Sequence, residues 1–420
     1  MKVSTIGFYH DFTRLFGALH NKRTPSGCVL KVHNYACVFS GIFREKDVEI
    51  KTTFLPIAVR SINTTDPSIS ESVIDYVGSY LRTFGTSSNR SRHLASLYVG
   101  YFLNEFRKTQ PDIVIISGDT RMQSRAAKIA CEILDIKRLY FEQGPFGTTI
   151  LDPIGVNCNA GFAKRFTPAN QVPSDTSSIS STTVATRERV QLSMLPRLVD
   201  YMLQPIYRVL RWNELREEKS TTSHIMKRLK NRPIRPTGVV STPTPTNYVL
   251  VIGQVPSDAN FSLHSRYKDV LEFTNDVSLL FGDANFIFRE HPLFANSYGN
   301  DFYEEIAKDP RWTISRGANL DDQVENADYV VVVNSTVGIE VILKHGRSLL
   351  CLGESSYEHL HGVYNRDSIH EYMESSKHID SRLNSENREW FVNSFIDGHF
   401  RDADLRNIIS NVVRVIDEAY

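Results

Sequence analysis

Three groups of reactive side chains in the second half of this chain each follow directly on a short apolar run that reads as a β-strand. Residues 248–252 lead into Gly253-Gln254-Val255-Pro256-Ser257-Asp258, residues 285–288 into Arg289-Glu290-His291-Pro292, and residues 327–333 into Asn334-Ser335-Thr336-Val337-Gly338-Ile339-Glu340. In doubly wound sheets ligands collect past the carboxyl ends of the strands, which is where these residues fall. A strand running into hydroxyl residues that open a helix offers backbone N–H groups and the positive end of a helix dipole, a natural phosphate site. Asn334, Ser335 and Thr336 stand at that point, although Ser335 or Thr336 serves equally well as an ordinary N-cap. Glu340 lies one turn further in, within reach of a ribose or simply complementing the dipole. His291 can donate to a phosphate oxygen or carry the charge that offsets a departing nucleotide. Asp258 reads either as a nucleophile or base, or as the Asx-turn and N-cap of the next helix, and Gln254 precedes it in the same mouth.

The first half supplies a second carboxylate in Glu142-Gln143-Gly144-Pro145-Phe146-Gly147-Thr148-Thr149, after a strand at 138–141. Its glycines let backbone approach a ligand closely. Glu142 facing Asp258 across a cleft would give the two carboxylates that acid/base plus nucleophilic chemistry at a sugar requires, as in retaining glycosidases. Asp119 and Arg125, past the strand near 111–117, suit acceptor hydroxyls or a donor carboxylate, with a loop carboxylate and a surface arginine as the plainer reading. Gln143 and Gly144 belong to the same candidate surface.

Positioning these groups takes two sheets. At 420 residues the chain exceeds a single core, so two domains are expected. Continuous apolar runs alternating with helical stretches mark buried parallel strands and an α/β class. A βαβ unit spans 111–141, with its helix over 122–134. Another set follows from 248, with helices over 265–280 and 337–344 and a strand at 348–352. The boundaries read as 1–240 for an N-terminal Rossmann-like acceptor domain, with a Ser/Thr-rich and Pro-rich helical insertion and linker near 168–246. A nucleotide-sugar domain follows over 247–384, then a helical segment over 385–420 expected to cross back to the N-terminal domain. Two such halves facing across a cleft form the architecture called GT-B. Phosphate loops of the GxGxxG or GxxxxGK[ST] kind are absent, which argues against dehydrogenases and P-loop enzymes.

Forty-eight basic residues balance forty-eight acidic ones, which removes the global electrostatic case for a nucleic-acid binder. The five cysteines show neither a CxxC pair nor zinc-ligand spacing, so thiols in a reducing cytoplasm are expected and no metal ligand is assigned. With no signal-like N-terminus and no apolar run of membrane-spanning length, a cytoplasmic protein is expected. The region 187–232 interleaves apolar residues with Arg197, Arg208, Arg211, Arg216, Lys227 and Arg228, a pattern that fits either a helix packed on its own domain or peripheral docking at the inner membrane.

In order and spacing these pieces resemble the capsule-polysaccharide synthesis family, specifically its retaining β-Kdo (3-deoxy-manno-oct-2-ulosonic acid) transferases. The matching pieces are Glu142-Gln-Gly-Pro-Phe, Asp152-Pro153-Ile-Gly155-Val-Asn157, Gln254-Val-Pro-Ser-Asp258, His291-Pro292, and Asn334-Ser335-Thr336-Val-Gly338-Ile-Glu340, followed by Gly346 and by Gly353 through Tyr357. The resemblance implies a GT-B fold, a CMP-β-Kdo donor, a saccharide or lipid-linked saccharide acceptor, and transfer with retention. It implies no cofactor and no metal, in keeping with the lack of a DxD-like pair at a strand end. Carried over, Asp258 is the nucleophile and Glu142 the acid/base for the acceptor. His291 and Ser335 or Thr336 hold the phosphate, and Glu340 the ribose. Asn334-Ser335 stands where two serines are common, and Arg347-Ser348 where proline is frequent. Gln-Gly-Pro-Phe replaces the Gly-Tyr-x-Arg-Pro of capsule-initiating members, which favours a lipopolysaccharide O-antigen or capsule-repeat enzyme. The rival expectations are an inverting, CMP-sialic-acid-type transferase and a non-catalytic polysaccharide assembly or export subunit.

Overall fold

Strands buried on both faces need helices above and below, and the chain provides them twice. The computed structural model describes residues 2–7, 30–34, 50–60, 69–164, 247–292, 294–398 and 406–418, with isolated positions at 62, 202, 206 and 209. The fold consists of two compact units. Met1–Val156, Thr176–Ile225 and Phe395–Tyr420 form the first, and Asn157–Asp175 with Met226–Ser394 the second.

In the first unit the strands are β1 (Val3–Ile6), β2 (Leu30–Asn34), β3 (Ile50–Phe54), β4 (Ile113–Ser117), β5 (Lys137–Gln143) and β6 (Thr149–Asp152), in the order β3-β2-β1-β4-β5-β6. All pairings are parallel except β5 with β6. Helices α1 (Leu55–Arg60), α2 (Glu71–Thr83), α3 (Ser88–Thr109) and α4 (Met122–Ile133) connect them. Ile113, Val114, Ile115 and Ile116 are all fully buried, as a central parallel strand requires.

In the second unit β7 (Val249–Ile252), β8 (Phe286–Arg289), β9 (Trp312–Ser315), β10 (Tyr329–Val332), β11 (Leu349–Cys351) and β12 (Val363–Tyr364) form an all-parallel sheet ordered β12-β11-β10-β7-β8-β9. Its helices are α5 (Ala259–Leu263), α6 (Val270–Phe281), α7 (Asn300–Lys308), α8 (Leu320–Asn326), α9 (Val337–His345), α10 (Ile369–Glu374) and α11 (Ser381–Ser394). The core between sheet and helices gathers Val251, Phe273, Phe288, Phe302, Val331 and Leu350. Each unit is thus Rossmann-like, the fold content of GT-B.

Two details depart from the sequence expectation, and a third concerns the last helix. The helix expected over 265–280 starts only at Val270, where Asp269 caps it and accepts from Glu272 N, while Asp258 caps the separate short helix α5 before it and accepts from Asn260 N. The Gln-Gly-Pro-Phe stretch is the turn of a hairpin, since β5 continues to Gln143 and pairs with antiparallel β6. The last helix, α12 (Arg406–Glu418), lies in the segment assigned to the first unit, in which Thr149 and Ile396 exchange backbone hydrogen bonds of 2.9 and 2.8 Å. The linker expected near 168–246 lies outside the described residues apart from the isolated positions.

Candidate functional site

Strand order decides where a ligand can sit in the second unit. The chain runs outward from β7 through β8 to β9, then returns to place β10 on the other side of β7. The two connections diverge at the carboxyl ends of β7 and β10, which opens the crevice that doubly wound sheets use for binding. Gln254 and Asn334 stand there, both buried. Gln254 Oε1 and Asn334 Oδ1 accept no hydrogen bond among the described residues. Buried polar atoms are rarely left so, and a ligand reaching these oxygens would offset their desolvation. Asn334 Nδ2 donates to the carbonyls of Asn260 (2.8 Å) and His264 (3.1 Å), tying the end of β10 to α5. Gly253 is needed for close approach, since a β-carbon there would lie 2.7 Å from the carbonyl oxygen of Arg289.

Asp258 and His291 come from the ends of the adjacent strands β7 and β8. Asp258 is exposed, and its Oδ1 accepts the Asn260 N–H at 2.8 Å, so it caps α5 and presents a carboxylate at the mouth. His291 is half-buried, and its backbone N–H donates to the Tyr298 hydroxyl at 3.0 Å. Burial pulls the imidazole below its ordinary pKa while the nearby Asp258 charge pulls it up. Glu290, which the sequence reading passed over, is buried against Arg316 and the Tyr303 hydroxyl and accepts from Asn296 N. It fixes the loop that carries His291.

The start of α9 divides the two hydroxyl candidates. Ser335 Oγ accepts the Val337 N–H at 3.3 Å, whereas Thr336 is exposed and makes no side-chain cap. The Ser335 carbonyl accepts from the Tyr357 hydroxyl at 2.6 Å. Tyr357 is fully buried and lies so close to α9 that a β-carbon on Gly338 would be 2.6 Å from its Cζ. Tyr357 therefore seats the helix start, a task visible only once the chain is folded. Glu340 is partly buried, and its burial raises its carboxyl pKa, opposed in part by Lys344. Lys344 itself bonds Asp321 on α8 at 2.6 Å, as does His345 at 3.1 Å, so Glu340 keeps a carboxylate that a ribose could engage.

Within the first unit, Glu142 lies on β5 rather than beyond it, opposite Ile150, and its Oε1 accepts Gln143 N at 3.0 Å. Its Oε2 reaches the end of β4, where a β-carbon on Gly118 would lie 3.8 Å away. Asp119 accepts the Val156 N–H at 3.0 Å and so anchors the chain after β6. Gln143 is exposed. Gly144 is explained by packing rather than by a ligand, because a β-carbon would run into Thr148 Oγ1 and lie 2.9 Å from Phe395. The expectation for Arg125 is corrected: its guanidinium donates to Tyr76 O and Ser79 Oγ and lies 5.0 Å from the Tyr76 ring centre, joining α4 to α2. A charge held in that way is a helix tie.

A family model described as "capsule polysaccharide biosynthesis protein" matches residues 112–400. The chain belongs to that family. The match takes in every candidate site residue, from Asp119 to Glu340, and Tyr357 with them. Protein FixF of Sinorhizobium fredii is 26% identical over 266 residues, 62% of this chain and 52% of FixF. Capsule polysaccharide export protein KpsS of Escherichia coli is 24% identical over 153 residues, 32% of this chain and 37% of KpsS. The chain thus spans about half and about a third of the lengths of these two relatives. Among solved structures, the β-Kdo 2,4 transferase of Thermosulfurimonas dismutans KpsC is similar with a TM-score of 0.42 at 14% identity, covering 72% of this chain and 87% of that one.

In this family member the residues that the sequence reading missed are those that hold others. Glu290, Tyr298 and Asn260 brace the loops of His291 and Asp258, and none carried a motif signal. Tyr357 was legible only as the end of a matching motif. No described helix is long and apolar enough to cross a membrane.

Proposed function

We propose that this protein is a retaining glycosyltransferase that moves β-Kdo from CMP-β-Kdo to a saccharide or lipid-linked saccharide acceptor, in capsule or lipopolysaccharide O-antigen synthesis. The observation that carries the reading is the grouping of Asp258, His291 and the Ser335-led start of α9 along the carboxyl edge of one sheet, beside two buried side-chain oxygens in want of donors. CMP lies on the second unit, its phosphate taken by His291 and the N–H groups at the start of α9, its ribose by Glu340. Those donors offset the charge that grows on the departing phosphate, so a metal is not required at that point. Asp258 attacks the anomeric carbon as CMP leaves, forming a glycosyl ester. The acceptor hydroxyl, giving its proton to Glu142, then displaces Asp258, and two inversions give net retention.

The test is to mix the protein with CMP-Kdo generated in situ, without acceptor, and weigh the intact chain. A single Kdo adduct that maps to Asp258 and disappears on adding acceptor is expected. A product of inverted anomeric configuration with no adduct would establish the single-displacement alternative instead. The name of KpsS favours a second reading, a polysaccharide export or assembly subunit, under which CMP release would not exceed background.

A cytoplasmic location with peripheral attachment at the inner membrane belongs to the same proposal. Most of the basic region 187–232 lies outside the described residues, but Met202, Ile206 and Val209 are helical, exposed and spaced to share one face. Co-sedimentation with anionic vesicles that is lost in Met202→Glu/Val209→Glu supports this attachment, and retention of binding in that variant removes it.

A further inference from the structure

Three side chains that the proposed transfer does not use meet in the second unit. Cys158 lies in the short turn Asn157–Asn159, His264 ends α5, and Glu354 follows β11. The Cys158 sulfur, a ring nitrogen of His264 and a carboxylate oxygen of Glu354 all lie within 4.8 Å of one another. Asn157–Asp175 belongs to the same unit as the other two, so the grouping is internal to one body.

The backbone holds two of these residues together independently of their side chains. The Glu354 N–H donates to the His264 carbonyl at 2.8 Å, and the same carbonyl accepts from Asn334 Nδ2 at 3.1 Å. A β-carbon on Gly353 would lie 2.9 Å from that oxygen, so the close approach of the two loops depends on glycine. His264 Nδ1 and Glu354 Oε2 are 3.1 Å apart. The His264 side chain is 12% exposed and that of Glu354 72%, which places the imidazole inside and the carboxylate at the rim. A cavity of about 450 Å³ opens beside them, lined also by Glu358, Arg366 and Asp367.

We propose that Cys158, His264 and Glu354 bind one zinc ion. A thiolate, an imidazole and a carboxylate form a mixed donor set that suits this borderline-soft ion, whereas calcium and magnesium take oxygen ligands. Zinc holds its donors at about 2.0 to 2.3 Å, so three donors within the observed spacing close on it by small side-chain rotations. The cavity gives the ion a path in and leaves the fourth position to water or Glu358. Binding exchanges the thiol proton for the metal, so the ion enters as the proton leaves to solvent. Because His264 caps the C-terminal end of α5 and Asp258 its N-terminal end, the ion fastens the helix that carries Asp258. Only this last consequence rests on the transfer reading.

Cobalt titration of the full chain, freed of metal by chelation, reads the site without any sugar chemistry. One equivalent of Co²⁺ should bind with a thiolate-to-cobalt charge-transfer band and visible absorption of tetrahedral strength, and Zn²⁺ should bleach both. Cys158→Ser should lose the band, and Glu354→Gln, an exposed and isosteric change, should weaken Co²⁺ binding at least tenfold. A charge-transfer band that survives Cys158→Ser, stoichiometric binding without such a band, or equal affinity in Glu354→Gln would each overturn the site. Failure of CMP-Kdo turnover would leave this result standing, and the converse holds, so the two ideas fail separately.

Discussion

Replacing Asp258 by asparagine separates the two tasks its carboxylate can perform. Asparagine is as good an N-cap as aspartate, so the hydrogen bond from Asn260 N to the side-chain oxygen survives and stability should stay within about 0.5 kcal/mol of the parent. Alanine removes the cap as well, at a cost of about 1 kcal/mol, which lowers the melting temperature by roughly 2 to 4 °C in a unit of this size. If Asp258 is the nucleophile, both variants lose turnover by roughly 10³-fold or more, about 4 kcal/mol of barrier, although only one of them loses stability. The same asparagine removes the charge that opposes the burial of His291, so the imidazole pKa should move further down. Turnover, thermal melting and the His291 titration followed by NMR, assigned through His291→Gln, read the three consequences. Turnover of Asp258→Asn within tenfold of the parent would refute the nucleophile, and an unmoved His291 titration would refute the adjacency on which the site is built.

Glu340→Gln should raise stability near neutral pH, because it removes a carboxylate whose ionisation burial disfavours. It should also weaken CMP roughly tenfold through loss of a charge-assisted bond to ribose. Calorimetric melting and CMP titration must move in opposite directions, and movement of both the same way contradicts the ribose role. Gly338→Ala should displace Tyr357 from the Ser335 carbonyl and cost about 1 to 3 kcal/mol, read as a lower melting temperature together with weaker CMP binding. His291 and His359 both have pKa values lowered by burial, so between those values and about 6.5 the unfolded chain binds more protons and stability falls as pH drops through that window. Glu340 has the opposite sign: its raised pKa contributes stability at acid pH that is lost as pH rises through its folded value. Melting curves between pH 5 and 8 should therefore show an acid slope that His291→Gln reduces, and an unchanged slope would exclude His291 as its source.

The strands that carry the site were legible because the apolar pattern that marks them is local. Val330 through Val333 and Ile113 through Ile116 are unbroken apolar runs, the mark of strands covered on both faces, and the polar residues after them could be placed at strand ends without knowing the fold. Strand β1 was not, since Ser4 and Thr5 are as buried as their apolar neighbours Val3 and Ile6 and interrupt the run. Strand β12, two residues long, offers no pattern at all. The helix expected over 265–280 begins only at Val270, because the capping carboxylate of Asp269 sets its start within an apolar rhythm that runs on either side.

By itself the sequence determined which residues end strands and open helices, and with them the chemistry available: a carboxylate at Asp258, an imidazole at His291, hydroxyls at 335 and 336. Tertiary structure decided which of these meet. The return of β10 to the flank of β7 sets Asn334 beside α5, and the packing of α4 on α2 takes Arg125 for a helix tie. Cys158, His264 and Glu354, which share no sequence spacing, are neighbours only in the fold. The reason is one of range: burial periodicity is written residue by residue along the chain, whereas the order of strands in a sheet depends on how all the crossover helices pack at once.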